Sequence, residues 1–201
     1  MGLFDFLKKN VKNEVKNDVK QGIKESEQNR KREQGTVRFQ FSSLPNTLEE
    51  LKALSEASMD TPYKTAALTI LSLCIYSNNK DEGIKCLNFV RGPHQQPLLP
   101  SEIQFYDDRF RDSNSGKLIP FSYFKGATPE TEYTPTKPYT LELFTNSHSY
   151  EQDTYCTLHI YSGGADSERQ VQLRVASGKW YLWQQFLMVG IKQPKSQNPW
   201  G

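Results

Sequence analysis

No run of this sequence is apolar for long enough to cross a bilayer. The longest largely apolar stretch, Ala66 to Tyr76, contains Thr69 and Ser72 and is about half of the roughly 20 residues that a spanning helix requires. Leu3 to Leu7 is shorter, is broken by Asp5 and is followed by no small-residue cleavage site, so no cleaved secretory signal is expected. Cysteine is scarce: Cys74, Cys86 and Cys156 form no CxxC pair, and three residues cannot all pair within one chain. Reduced thiols in a cytoplasmic setting are the expectation. The sequence also lacks GxSxG, GxxxxGK(S/T), HExxH and GxGxxG, which lowers the case for an enzyme without excluding one. Nothing has metal-ligand spacing, so neither a metal nor another cofactor is expected. With 25 Lys/Arg against 23 Asp/Glu the formal charge is only +2, and no nucleic-acid partner is expected.

Aromatic residues make up 12% of the 201-residue chain, which excludes disorder throughout and leaves room for one ordinary core. The charge is unevenly spread. Residues 1–35 hold nine Lys/Arg against six Asp/Glu, and the remainder holds sixteen against seventeen. Residues 1–24 read as a basic amphipathic helix with a tetrapeptide repeat, in which positions 3, 7, 11, 15, 19 and 23 are apolar. At 3.6 residues per turn such a stripe spirals around the helix. Residues 25–35, ESEQNRKREQG, contain no apolar side chain and read as a charged, solvated linker. A single α+β domain is then expected over residues 36–201.

Within that domain, Thr47-Leu48-Glu49-Glu50 has the form of a capping box. Thr61-Pro62 opens a second helix, to about Ser77, that is apolar around most of its circumference and reads as the central core helix. Further helices are expected over Asn79 to Val90 and Ser101 to Phe110. Between Ser113 and Pro138, Gly, Pro, Ser and Thr accumulate and the helical period disappears, the signature of an extended loop. Four strand-like runs follow: Tyr139 to Thr145, Thr154 to Tyr161, Arg169 to Ala176, and Lys179 to about Met188. Turn-like joints at Ser162-Gly163-Gly164-Ala165-Asp166 and Ala176-Ser177-Gly178 predict antiparallel pairing. The expected fold is N-terminal helices packed on a four-stranded antiparallel C-terminal sheet, with Ala66 to Ile75 buried against it.

The chemistry-bearing residues mostly invite ordinary readings. His94, His148 and His159 have no spaced partners and suit structural or solvated roles. The cluster Asp107-Asp108-Arg109-Phe110-Arg111-Asp112 could position two carboxylates for acid-base work, but alternating signs at a helix end more often form a solvated ion-pair network. Trp180-Tyr181-Leu182-Trp183 could line a pocket, although such runs more often supply sheet core.

The N-terminal segment carries the explicit functional argument. Leu3, Phe4, Phe6 and Leu7 concentrate apolar bulk in two turns, while Lys8, Lys12, Lys16, Lys20 and Lys24 stand at i,i+4 spacing. In water that lysine column repels itself by about 0.2–0.5 kcal/mol per pair. On an anionic lipid surface each lysine instead gains about 1 kcal/mol. Leu3, Phe4, Phe6, Leu7, Lys8, Lys12 and Lys16 are therefore the candidate lipid-binding residues, with a protein surface as the competing partner for residues 1–24. Gly-Leu-Phe-Asp-Phe-Leu-Lys-Lys is also similar to the start of short membrane-active peptides, whereas Phe6 breaks a myristoylation motif.

Several segments resemble an uncharacterised domain family of Gram-positive bacteria (Firmicutes), a domain of unknown function. They include Leu48 to Leu54, Thr61 to Leu68, Gly126-Ala127-Thr128-Pro129, Tyr161 to Ser167, Trp180 to Phe186, Pro194-Lys195-Ser196 and Pro199-Trp200. The resemblance runs from Phe41 to Gly201 and implies a bacterial cytoplasmic setting, with no activity or site residue attached. More remotely, helices followed by a meander ending in Gly178-Lys179-Trp180 look like the cone-shaped NTF2-like fold. The reading is a non-enzymatic binding module loosely associated with the cytoplasmic membrane face. Its alternative is an enzyme or small-ligand-binding domain with a pocket between the core helix and the aromatic strands. Oligomeric state is left open.

Overall fold

The computed structural model describes residues 35–111 and 115–197. The helix expected over 1–24, its seven candidate lipid-binding residues and nearly all of the linker lie outside them. The described chain begins with a strand, β1 (Thr36–Phe41), followed by four α-helices, α1 (Leu48–Lys52), α2 (Pro62–Asn78), α3 (Lys80–Arg91) and α4 (Pro100–Arg111). Four strands close it: β2 (Tyr139–Phe144), β3 (Tyr155–Ile160), β4 (Arg169–Ala176) and β5 (Lys179–Gln185). The fold is α+β, and the sheet is an antiparallel meander in the order β1-β2-β3-β4-β5.

The sheet thus has five strands rather than four. The extra member, β1, precedes the helices and pairs along its whole length with β2, from Thr36↔Phe144 to Phe41↔Tyr139. Its alternation of Val37, Phe39 and Phe41 with Thr36, Arg38 and Gln40 is ordinary strand patterning. A short run bordering a charged segment gives no sign of a partner about a hundred residues downstream. The loop expected over 113–138 is also more structured, with 3-10 turns at Gly116–Leu118, Pro120–Tyr123 and Pro129–Thr131.

Local signals explain the helices. Thr61 caps α2 by accepting from the Lys64 N–H (3.3 Å), with Pro62 in its first turn. Thr47 caps α1 by accepting from the Glu50 N–H (3.2 Å). The reciprocal half of that capping box is displaced: the Glu50 carboxylate accepts from the N–H of Asn46 (2.8 Å), while Glu82 accepts from that of Leu48 (2.9 Å).

Helix α2 is the centre of the core, buried at every position from Thr65 to Ser77. Its hydroxyls do not go unsatisfied. Thr69 donates to the Thr65 carbonyl (2.8 Å), Ser72 to Leu68 (2.7 Å) and Ser77 to Cys74 (2.7 Å). Thr65 donates instead to the Trp180 carbonyl (2.8 Å), pinning the helix to β5. Leu141, Leu143, Leu158, Ile160, Val171 and Leu173 come from the sheet to the same core. Cys74, Cys86 and Cys156 are buried, with no disulfide among them. Among the described residues no helix is long and apolar enough to cross a membrane.

Candidate ligand-binding cleft

The sheet turns one face to α2, and successive side chains of a strand point to opposite faces. Because Phe39, Phe41, Leu141 and Leu143 belong to the core, Thr36, Arg38, Thr140, Glu142 and Phe144 lie on the other face. There β2 is incompletely flanked. Along one side it pairs fully with β1, but on the other its register with β3 is limited to Phe144↔His159. Lower down, the segment at Lys125 replaces β3: the Lys125 N–H donates to the Thr140 carbonyl (2.9 Å), and the Lys125 carbonyl accepts from the N–H and hydroxyl of Thr136 (both 3.0 Å). The space between the departing β3 and this incoming segment is a cleft of about 670 Å³.

Across its floor Arg38 and Glu142, opposite each other in the β1–β2 register, form an ion pair with Nε 2.7 Å from Oε1. One wall is aromatic. Phe144 stacks on Tyr161 with centroids 5.1 Å apart and planes at 22°, and on His159 at 5.6 Å and 28°. Tyr161 is 61% exposed, the most open of the large apolar side chains described. The opposite rim is the backbone from Lys125 to Thr128, held by the loop after β3. There the Gly163 N–H donates to the Ser122 carbonyl (2.8 Å) and the Ser162 hydroxyl to that of Ser122 (2.7 Å). A side chain at Gly163 would place its Cβ 2.0 Å from the Ala127 carbonyl oxygen, so only glycine allows this approach.

The other candidates lie elsewhere. Asp107 accepts from the Tyr76 hydroxyl (3.0 Å) and pairs with Lys80 (2.6 Å), while Asp108 pairs with Arg111 (3.2 Å). The ion-pair reading of those residues holds. Lys80, with the Tyr76 hydroxyl, keeps the Asp107 carboxyl below its ordinary value despite some desolvation. His94 meets Tyr181 edge-on at 5.8 Å, and exposed His148 has Nδ1 2.5 Å from Glu151. His159 alternates with the core residues Leu158 and Ile160, yet it is only 3% exposed. Its Nδ1 is 3.1 Å from the Glu168 carboxylate, yet neither ring nitrogen makes a properly directed hydrogen bond. The aromatic run divides. Tyr181 and Leu182 are buried, whereas Trp183 is 36% exposed and, with Tyr155, flanks Arg174 at 5.2 and 5.3 Å. A smaller concavity of about 330 Å³ lies between α4 and β5, lined by Phe105, Tyr106, Trp183 and Phe186. Among the described residues no three His, Cys, Asp or Glu side chains converge as metal ligands do.

The cleft residues Arg38, Glu142, Phe144 and Tyr161 were not singled out by sequence. Two segments that carry the family resemblance, Gly126 to Pro129 and Tyr161 to Ser167, meet at its rim, which is the signal the sequence held. Among known proteins, the family model described as "Domain of unknown function (DUF6935)" matches residues 43–195. No curated protein and no solved structure matches the chain, so the NTF2-like resemblance rests on sequence alone.

Proposed function

Taking as premise that the chain belongs to the DUF6935 family of domains of unknown function, we propose that it is a non-enzymatic binding module held loosely at the cytoplasmic membrane face by residues 1–24. The observation that carries the first half is the filled interface between α2 and the sheet. Ala66, Ala67, Leu68, Ile70, Leu71 and Leu73 of α2 are wholly buried, a close packing around the core helix that supports the binding-module reading over one that needs a pocket between that helix and the aromatic strands. The larger of the two concavities described above lies on the sheet's other face, where an exposed aromatic ring and an ion pair suit recognition of a ligand.

The membrane half rests on sequence. Burying Leu3, Phe4, Phe6 and Leu7 yields at most about 1.5–3 kcal/mol each, offset by ordering the chain, so the association is weak and reversible. Its test is co-sedimentation with anionic vesicles at low salt. Full-length protein should pellet, and protein lacking residues 1–24 should stay in the supernatant. Salt should weaken binding as the Debye length falls from about 10 Å at 0.1 M to about 3 Å at 1 M. Phe4→Glu removes insertion with the lysines intact, and Lys8→Glu with Lys12→Glu removes attraction with the apolar groups intact. If the truncated chain pellets equally, or the full chain does not pellet, residues 1–24 are a protein-docking element instead.

A further inference from the structure

We propose that the cleft between β1, β2 and the Lys125–Thr128 rim is a binding site for a short neutral oligosaccharide. The inference rests on the binding-module reading of the domain and is independent of the membrane reading. Three features select this ligand class.

The first is the Tyr161 ring, open to solvent and stacked on Phe144. An aromatic face is the negative side of a quadrupole, and the C–H groups on one face of a pyranose ring carry the complementary partial charge. A flat apolar platform at the mouth of a polar cleft suits a ligand with one apolar face and a hydroxylated rim.

The second is the floor. Arg38 directs Nε toward one oxygen of Glu142, and both side chains are exposed to solvent, so further guanidinium donors and the second carboxylate oxygen are open to a ligand. Neighbouring hydroxyls of a sugar both donate and accept, so they can engage both members of the pair at once. A phosphate or carboxylate ligand would gain from Arg38 and Lys125 but face Glu142 across the same floor. A cationic ligand meets the reverse conflict.

The third is size and access. A cleft of about 670 Å³ lies within the range of small-molecule sites, about 300–1,000 Å³. Its lining extends from Thr36 and Arg38 of β1 across β2 to the Ser162-Gly163 turn. Its rim loops are already tied together, since the buried Ser162 hydroxyl donates to that of Ser122 and accepts from the Gly164 N–H (3.1 Å). Such a rim is held before ligand arrives, which lowers the ordering cost of binding.

The experiment is an NMR titration of ¹⁵N-labelled full-length protein with cellotriose, chitotriose and maltotriose, each to millimolar concentration, with inorganic phosphate and AMP as charged probes. At least one trisaccharide should shift the amides of Thr36 to Arg38, Lys125 to Thr128 and Gly163 in a saturable way. Tyr161→Ala, at a position too exposed to endanger folding, should weaken that affinity by about tenfold or more, equivalent to about 1.4 kcal/mol. Tyr161→Phe should keep most of it, and Arg38→Ala should weaken it without removing the stacking contact. The proposal fails if no trisaccharide shifts the cleft amides, if Tyr161→Ala binds as well as the parent, or if only phosphate or AMP shifts them. None of those failures touches the vesicle result. Cleavage of a trisaccharide that shifts the cleft amides would keep the site and overturn the non-enzymatic reading alone.

Discussion

Gly163→Ala should destabilise the domain by an amount that the geometry of the cleft rim sets. The new methyl would stand 2.0 Å from the Ala127 oxygen, 3.0 Å from its carbonyl carbon and 3.3 Å from Cγ2 of Thr128. Comfortable separations are about 3.5–4.0 Å, so the two loops must part by more than about 1 Å. Parting them strains the bond from the Gly163 N–H to the Ser122 carbonyl (2.8 Å) and the Ser162–Ser122 hydroxyl bond (2.7 Å). Overpacking of this kind costs about 1–3 kcal/mol, and a lost hydrogen bond adds about 1 kcal/mol. The expected loss is therefore about 2–4 kcal/mol. At about 2–4 °C per kcal/mol for a chain of this size, Tm should fall by roughly 4–16 °C. Gly190→Ala is the internal control, because an added Cβ there meets nothing within 4 Å and should change stability by no more than about 0.5 kcal/mol. Urea unfolding followed by far-UV circular dichroism measures both variants against the parent. If Gly163→Ala proves as stable as Gly190→Ala, the rim is not held at this spacing and the cleft is not built as described.

Further measurements probe the core and the charge network. All three cysteines should be intact thiols: reduction should leave the mass unchanged, and alkylation at neutral pH should be slow until denaturant is added. Burial pushes the Cys86 thiol up to about 12 and that of Cys74 up as well, so the reactive thiolate is rare in the folded state. Asp107→Asn should cost up to about 1 kcal/mol at neutral pH, the scale of a partly exposed ion pair. Since Lys80 holds the folded Asp107 below its ordinary value of 3.8, this contribution is present in full above the unfolded value and lost as pH falls through the folded one. The stability difference between parent and variant should shrink below about pH 4. A difference that persists unchanged into stronger acid would assign the effect to packing.

The sequence by itself determined the elements whose signals are local. Thr61-Pro62 announced α2, its apolar circumference announced burial, and the alternations Cys156-Leu158-Ile160 and Val171-Leu173 announced the middle strands with their core faces, although the next alternate residue, Val175, is only half-buried. Each depends on neighbours within a few residues, where backbone geometry fixes the period. Even there the capping box was half right, because the Glu50 carboxylate found the Asn46 N–H rather than that of its own cap. Only the tertiary structure decided where β1 goes and what it makes. Arg38 and Glu142 are separated by about a hundred residues and acquire meaning when the β1–β2 register sets them face to face. Tyr161 acquires a platform when β3 sets it beside Phe144. The cleft exists because β3 leaves β2 after one paired position and the Lys125 segment takes its place. Strand registry between distant segments is a property of pairing, and no local period records it.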